Sequence, residues 1–359
     1  MIRSQDSQRP HLHFKNPFSV ILPKGSSHLS PRLLSLLNAF EKSLAEKLTS
    51  LKPGSGVRAL SFSWMKEAMA SLAAIHTSVQ TLVKELDLPV CGWDEKWLDV
   101  YMDNSVSLLD ICTAFSSEIL RLNQGNLYLR CTVHTLDSEP KQFHARARSS
   151  LDGWRSRLGS ENPRIENCPM ILNRLIESLK FPNKKDSGKE RVLMKALYGV
   201  RVVTIFFCSV FATAFSGSAG GKLKKNFEAL EGCFWADAFA DLQSSVNEEI
   251  EGGGGVTRLK EVEDVDASVN KLYAIVESDK VEGELLILLS NATSELRQNA
   301  DKLCEGLDLL GKEVDGFFRI VLTARDAMLS NIRVGSHKVS KSKKEEKLYR
   351  GANCDVKNR

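Results

Sequence analysis

A spacing alternately three and four residues apart, filled almost throughout by apolar side chains, runs unbroken through two neighbouring stretches of the chain. The first is Met65, Ala68, Leu72, Ile75, Val79, Leu82 and Leu86; the second is Leu98, Tyr101, Ser105, Leu108, Cys112, Phe115, Ile119 and Leu122. On an α-helix those steps put every named residue on one narrow face. The connection reads Leu88-Pro89-Val90-Cys91-Gly92-Trp93, in which proline and glycine stop the first helix, and Asp94 is placed to cap the next. The pattern predicts a long antiparallel helical hairpin with coiled-coil-like seams, ending near Asn123-Gln124-Gly125. It fixes an all-α class and points to a protein that makes contacts. It supplies no chemistry.

A core of useful size is within reach, because 42% of the 359 residues are hydrophobic. Eight cysteines are present. None forms a C-x-x-C pair, and Cys112, Cys131, Cys208 and Cys304 fall in apolar or helical stretches. They read as reduced, packed thiols in a cytoplasmic protein. The net charge is +4, and it is unevenly spread. From Lys338 onward eight basic residues face three acidic ones, a tail of +5 against −1 for the rest. The body therefore offers no broad basic surface for nucleic acid.

Residues 1–29 read as a flexible leader, rich in Ser, Arg and Lys, with Asp6 the only acid before Glu41. That composition makes plastid targeting an alternative to an ordinary lead-in. Residues 30–334 form the expected bundle domain. Ser30-Pro31 is an N-cap and first-turn proline for a helix to about Leu51. Further helices are expected from Glu139-Pro140 to about Leu158, from Asn162-Pro163 to Phe181, from about Lys189 through an apolar stretch, over Phe227–Ile250, and over Arg258–Glu277. Leu289, Ala292, Leu296, Ala300, Leu303, Leu307, Leu310, Val314, Phe317, Val321, Ala324 and Met328 then continue the three-four spacing. They predict a long C-terminal helix, a rod of roughly 60–70 Å at about 1.5 Å per residue. Residues 335–359 are expected to be a disordered basic tail. The architecture is an elongated multi-helix bundle.

Val202 to Gly221 carries no charged residue. Val202, Val203, Ile205, Phe206, Phe207, Val210, Phe211 and Phe215 form either the central helix of the bundle or a membrane-inserted one. A span needs about 20 mostly apolar residues. Here Ser-Gly-Ser-Ala-Gly-Gly follows Phe215, a poor surface for lipid, so burial is the leading expectation. Asn16-Pro17-Phe18 matches the tripeptide bound by EH domains, set against a loop that packs its own phenylalanine. Ser149 follows Arg146-Ala147-Arg148 and Ser336 follows Arg333-Val334-Gly335, both in basophilic-kinase context; Ser340 and Ser342 lie among lysines. Lys338, Lys341, Lys343, Lys344 and Lys347 make a candidate tether for anionic lipid, interrupted by Glu345 and Glu346. His76 and His134 stand isolated, at surface or boundary positions. There is no H-E-x-x-H pair, Walker A loop, G-x-G-x-x-G after a strand, or G-x-S-x-G. No catalytic residue, metal ligand, cofactor or small-molecule ligand is named by the sequence.

Several longer strings resemble the plant BYPASS family, also described as ROH-like exocyst-binding proteins. They include Ser63-Trp64-Met65-Lys66-Glu67-Ala68-Met69, Leu86-Asp87-Leu88-Pro89-Val90, Trp93-Asp94-Glu95-Lys96-Trp97-Leu98-Asp99-Val100-Tyr101 and Leu108-Leu109-Asp110-Ile111-Cys112. Asn162-Pro163-Arg164-Ile165-Glu166-Asn167-Cys168, Leu193-Met194-Lys195-Ala196-Leu197-Tyr198-Gly199-Val200 and Lys312-Glu313-Val314-Asp315-Gly316-Phe317-Phe318 also fit. The match is weaker in the leader, across Lys222–Val281 and in the tail. The resemblance implies a non-enzymatic regulatory protein of root and shoot development that restrains a root-derived mobile signal. It also implies protein partners such as exocyst subunits, and links to vesicle traffic and stress signalling. A membrane-anchored trafficking scaffold and an enzyme of small-molecule metabolism are the competing expectations.

Overall fold

The computed structural model describes residues 29–54, 58–87, 95–138, 144–179, 188–217, 232–252, 258–277 and 284–355. Among them are nine α-helices and no strand. They are α1 (Pro31–Ser50), α2 (Phe62–Leu86), α3 (Glu95–Ser138), α4 (His144–Gly159), α5 (Pro163–Glu177), α6 (Gly188–Ser216), α7 (Ala236–Gly252), α8 (Lys260–Glu277) and α9 (Glu284–Asp355).

Starts are set by local chemistry. The Ser30 hydroxyl accepts from Leu33 N, with Pro31 in the first turn of α1. Asn162 does the same for Arg164 N ahead of Pro163 in α5. The exposed N–H groups at the start of α2 are held by acids from elsewhere. Glu249 accepts from Ala59 N at 2.7 Å, and Glu261 accepts from Phe62 N at 3.1 Å. The Phe62 contact satisfies a donor that the helix start leaves without an intrahelical partner, and the Ala59 contact holds the segment leading into it. Such a long-range clamp fixes where α7 and α8 sit against the head of α2.

The core quartet is α2, α3, α6 and α9. Phe62 lies against Gly306, and the rings of His76 and Phe317 stand 4.9 Å apart, so α2 and α9 run parallel. Arg325 meets Met102 and Asn126 meets Ala300, so α3 runs against α9. Trp64 packs on Phe207 and Phe211 while His76 reaches Thr204, so α6 runs against α2. The hairpin of α2 and α3 is therefore antiparallel, but its two seams do not mate. Both helices pack on α9 and on α6 instead of chiefly on each other. Most of the seam residues are buried, against different neighbours; Val79, Tyr101 and Leu108 are only half-buried, and the side chain of Leu98 lies outside the described residues. Around the quartet, α4 lies on α3, α5 on α3 and α6, α8 on α9 and α4, and α1 with α7 along α6 and α2.

α6 supplies the middle. Val202, Val203, Ile205, Phe206, Phe207, Val210, Phe211 and Phe215 are all buried. A helix apolar on every side must be covered all round, and here other helices cover it. The helix is long and apolar enough for a span by composition, with a mean hydropathy of 1.7, yet 78% of that window is buried inside the bundle.

Three boundaries differ from the sequence reading. Gly125 does not end the hairpin; α3 continues through it to Ser138. The reason is a close approach: a Cβ at Gly125 would lie 3.0 Å from the Trp154 ring. This glycine admits α4 and does not stop α3. Gly232 takes a left-handed φ of +84°, and α7 begins after it, at Ala236; the start expected at Phe227 lies outside the described residues. Finally, α9 continues past Arg333 to Asp355, where a disordered tail was expected. Lysine and glutamate are good helix formers, and no proline interrupts the segment. At 72 residues this helix is roughly 110 Å long.

Candidate functional site

Two clefts open between the helices, and they differ in how their charges are settled. The larger, about 240 Å³, lies where α3, α5 and the end of α6 meet, beside Arg258 and Leu259. Three of its charged groups, Glu118, Arg121 and Arg258, are paired within the protein. Arg121 donates to Glu118 at 2.6 Å and also reaches the Arg157 carbonyl; Asn162 donates to Glu118 at 2.9 Å; Arg258 stands 3.7 Å from Asp266.

The smaller cleft, about 110 Å³, sits inside the core quartet itself. α2 contributes His76, Val79 and Gln80, and α3 contributes Val100, Tyr101, Asn104, Ser105 and Leu108. α6 brings Leu197 and Arg201, and α9 brings Ile320, Val321 and Ala324. Val100 at its edge is exposed, so the cleft reaches the surface. Among the described residues no carboxylate lines it.

Its polar groups are positioned one by one. Ser105 occupies a seam position of α3, small enough for the Arg325 guanidinium to enter. Arg325 donates to Ser105 Oγ at 2.7 Å and to the Met102 carbonyl at 2.6 Å. Arg201 donates to Ser178 Oγ at 2.6 Å, and Ser178 stands 3.1 Å from Asn104 Oδ1. Among the described residues Arg201 has no carboxylate within ion-pair reach. Burial pushes its guanidinium down to about 10, which leaves it charged at neutral pH. The Thr204 hydroxyl donates to the Val200 carbonyl at 2.6 Å, so His76 Nε2, 2.9 Å away, is the donor to Thr204. Burial pushes His76 down to about 4, so it is neutral at pH 7. Burial also raises the Tyr101 hydroxyl, partly offset by Arg325. The cleft is thus cationic and apolar together, with a neutral imidazole at one side.

The residues singled out in the sequence lie elsewhere. Ser149 is exposed on α4, beside Arg148, which pairs with Glu277 at 3.4 Å and rests with Arg155 on the Tyr273 ring. Asn16, Pro17 and Phe18 lie outside the described residues. Ser336, Ser340, Ser342 and Lys338, Lys341, Lys343, Lys344 and Lys347 belong to the backbone of α9. Ser149 is not among the residues that line the cleft. Sequence reading missed Arg201, Asn104 and Ser178 because three separate helices supply them; Ser105, a polar residue in an apolar seam, was the one visible signal. Among the described residues no group of three His, Cys, Asp or Glu could hold a metal ion. Cys112, Cys168 and Cys208 are buried, and burial raises all three thiols, which keeps them protonated and unreactive.

No family model matches the chain, and no solved structure matches it. Curated relatives do. Protein BPS1, chloroplastic, from Arabidopsis thaliana is 43% identical over 358 residues, covering 98% of this chain and all of that protein. UPF0496 protein 4 from rice, in both the indica and japonica subspecies, is 39% identical over 305 residues, covering 83% of this chain and 66% of the rice proteins. An identity of 43% along essentially the full length of both chains carries the conclusion that this protein belongs to the BYPASS family.

Proposed function

We propose that the protein is a non-enzymatic regulator of plant development that acts by binding protein partners through its helical faces. The observation that supports this most is the full-length similarity to BPS1. The architecture agrees with it: long helices leave apolar side chains such as Leu120, Leu127 and Leu309 exposed, at 59%, 61% and 39%. The cleft inside the quartet has no acid beside its histidine, an arrangement unsuited to general acid–base work by a carboxylate pair. Exocyst subunits are the partners to test first, and restraint of a root-derived mobile signal is the role. Affinity purification of the tagged full-length chain from root tissue, with quantitative mass spectrometry against an untagged control, tests the reading. Enrichment of exocyst subunits supports it, and recovery of no specific protein partner overturns it.

The relative's name carries the word chloroplastic, and the first forty residues of this chain hold one acid, Asp6. We therefore keep plastid import as the second reading of location. A C-terminal fluorescent fusion found in plastids supports import; one confined to the cytoplasm rejects it.

A further inference from the structure

We infer that the cleft between α2, α3, α6 and α9 is a binding site for a small monocarboxylate with an apolar body. Arg201 would hold the carboxylate, and Leu108, Leu197, Ile320 and Val321 would enclose the body. The inference goes beyond partner binding and stands independently of it.

Three observations carry it. First, the guanidinium of Arg201 is partly buried in the cleft wall; among the described residues its hydrogen bond goes to the neutral Ser178 hydroxyl, with the Tyr198 phenol also acting on it and no carboxylate in ion-pair reach. A desolvated cation without a carboxylate is costly, and an incoming anion relieves that cost. Second, among the described residues the lining offers no competing acid, and Arg325, held on Ser105, adds a second positive charge nearby. A cation or a metal ion would be repelled. Third, the remaining wall is mostly aliphatic, so an inorganic anion would leave it wet. The volume, about 110 Å³, is of the order of a cavity that takes benzene, about 150 Å³. A ring or short chain carrying one carboxylate fits both the size and the chemistry.

The test uses the full-length protein and three probes: benzoate, which has charge and body; benzamide, which has the body alone; and acetate, which has the charge alone. Binding is followed by methyl chemical shifts. A fragment this small is expected to bind in the millimolar range. Benzoate should bind about ten-fold tighter than either control, the usual gain from a charge-assisted contact. Its shifts should centre on the methyl groups of Leu108, Leu197, Ile320 and Val321. Arg201→Gln should bring benzoate down to the affinity of benzamide, and Ala324→Phe, which fills the cleft from α9, should abolish binding of both. Equal affinity for benzoate and benzamide, shifts centred elsewhere, or no binding of benzoate at saturating millimolar concentrations each overturns the assignment. Should Arg201→Gln fail to fold, the probe comparison on the parent protein and the shift map decide it alone.

Discussion

Gly306 of α9 faces the Cβ of Phe62 so closely that a methyl group at position 306 would lie 2.9 Å from it. Phe62 is 1% exposed at the head of α2, where Glu261 also grips its backbone N–H. A Cβ tied to a clamped backbone cannot swing aside. Gly316, ten residues further along the same helix, has nothing within 4 Å of the same added carbon. One substitution at two positions should therefore act with opposite sign. Gly316→Ala is expected to stabilise by about 0.5–1 kcal/mol, from helix propensity alone. Gly306→Ala makes the same gain but overpacks the α2–α9 crossing, for a net loss of about 1–2 kcal/mol. Urea denaturation of both variants decides it; two changes of the same sign would show that the crossing is looser than described.

Those two glycines also show what the sequence could and could not say. The three-four spacing names the buried positions of α9 from Leu289 to Val321 correctly, because burial on one face of a helix is a local, periodic property. Ser30-Pro31 and Asn162-Pro163 mark helix starts for an equally local reason. Which seam meets which is not local. Periodicity said that α2 and α3 each have an apolar stripe, and the short connection suggested that the stripes meet. The insertion of α9 and α6 between them depends on helices far along the chain, α6 at Gly188–Ser216 and α9 from Glu284 onward. Gly125 fails for the same reason: the aromatic it makes room for, Trp154, belongs to the next helix. The cleft was illegible because Arg201 and Ser178 gain meaning only from each other and from Asn104.

His76 makes stability depend on pH. The unfolded imidazole takes a proton near its ordinary value of 6.5, and the folded one only near 4. Between these values the unfolded state holds more protons, so stability falls as pH drops through the window and flattens below it. The full shift corresponds to at most about 3 kcal/mol, and the partly open position of the ring brings this nearer to about 1–2 kcal/mol. Glu41 and Glu261, raised by burial, contribute with the opposite sign. They are common to the parent and to His76→Gln, so the difference between the two proteins isolates His76. The parent should lose about 1–2 kcal/mol more than the variant between pH 6.5 and pH 4. Parallel pH profiles would show that His76 is not held neutral by the fold.

Phe207 measures how much of the bundle rests on α6. It is fully buried, with its ring 5.9 Å from that of Trp64, whose indole N–H donates to the Leu51 carbonyl at 2.8 Å. Truncation opens a cavity against the Trp64 ring of α2 and the neighbouring Phe206 ring. Phe207→Ala should lower stability by about 3–5 kcal/mol. Phe234→Ala, at a 67% exposed position, should change it by less than about 0.5 kcal/mol. A small effect of Phe207→Ala on the denaturation midpoint would mean that α6 is not packed as described.

Membrane contact, if it occurs, is then expected from the tail of α9 and not from α6. Pulling α6 into lipid would expose the faces of α1, α2, α3 and α5 that now cover it. A carbonate wash should accordingly release the protein from membrane fractions; retention in the pellet would favour insertion. The candidate tether is Lys338, Lys341, Lys343, Lys344 and Lys347, within a segment whose charge is +5 from Lys338 onward. Each lysine near an anionic leaflet contributes about 1 kcal/mol at best. Screening over about 8 Å at physiological salt, together with Glu345 and Glu346, reduces the sum. The expected outcome is binding to phosphatidylserine-containing vesicles at low salt, much weaker binding at physiological salt, and loss of both when the five lysines are replaced by glutamine. Phosphate on Ser336, Ser340 or Ser342 would add negative charge among these lysines and weaken the contact further. Sedimentation with vesicles measures all of this directly. Binding unchanged by the five replacements, or absent in the parent protein at low salt, removes the tether.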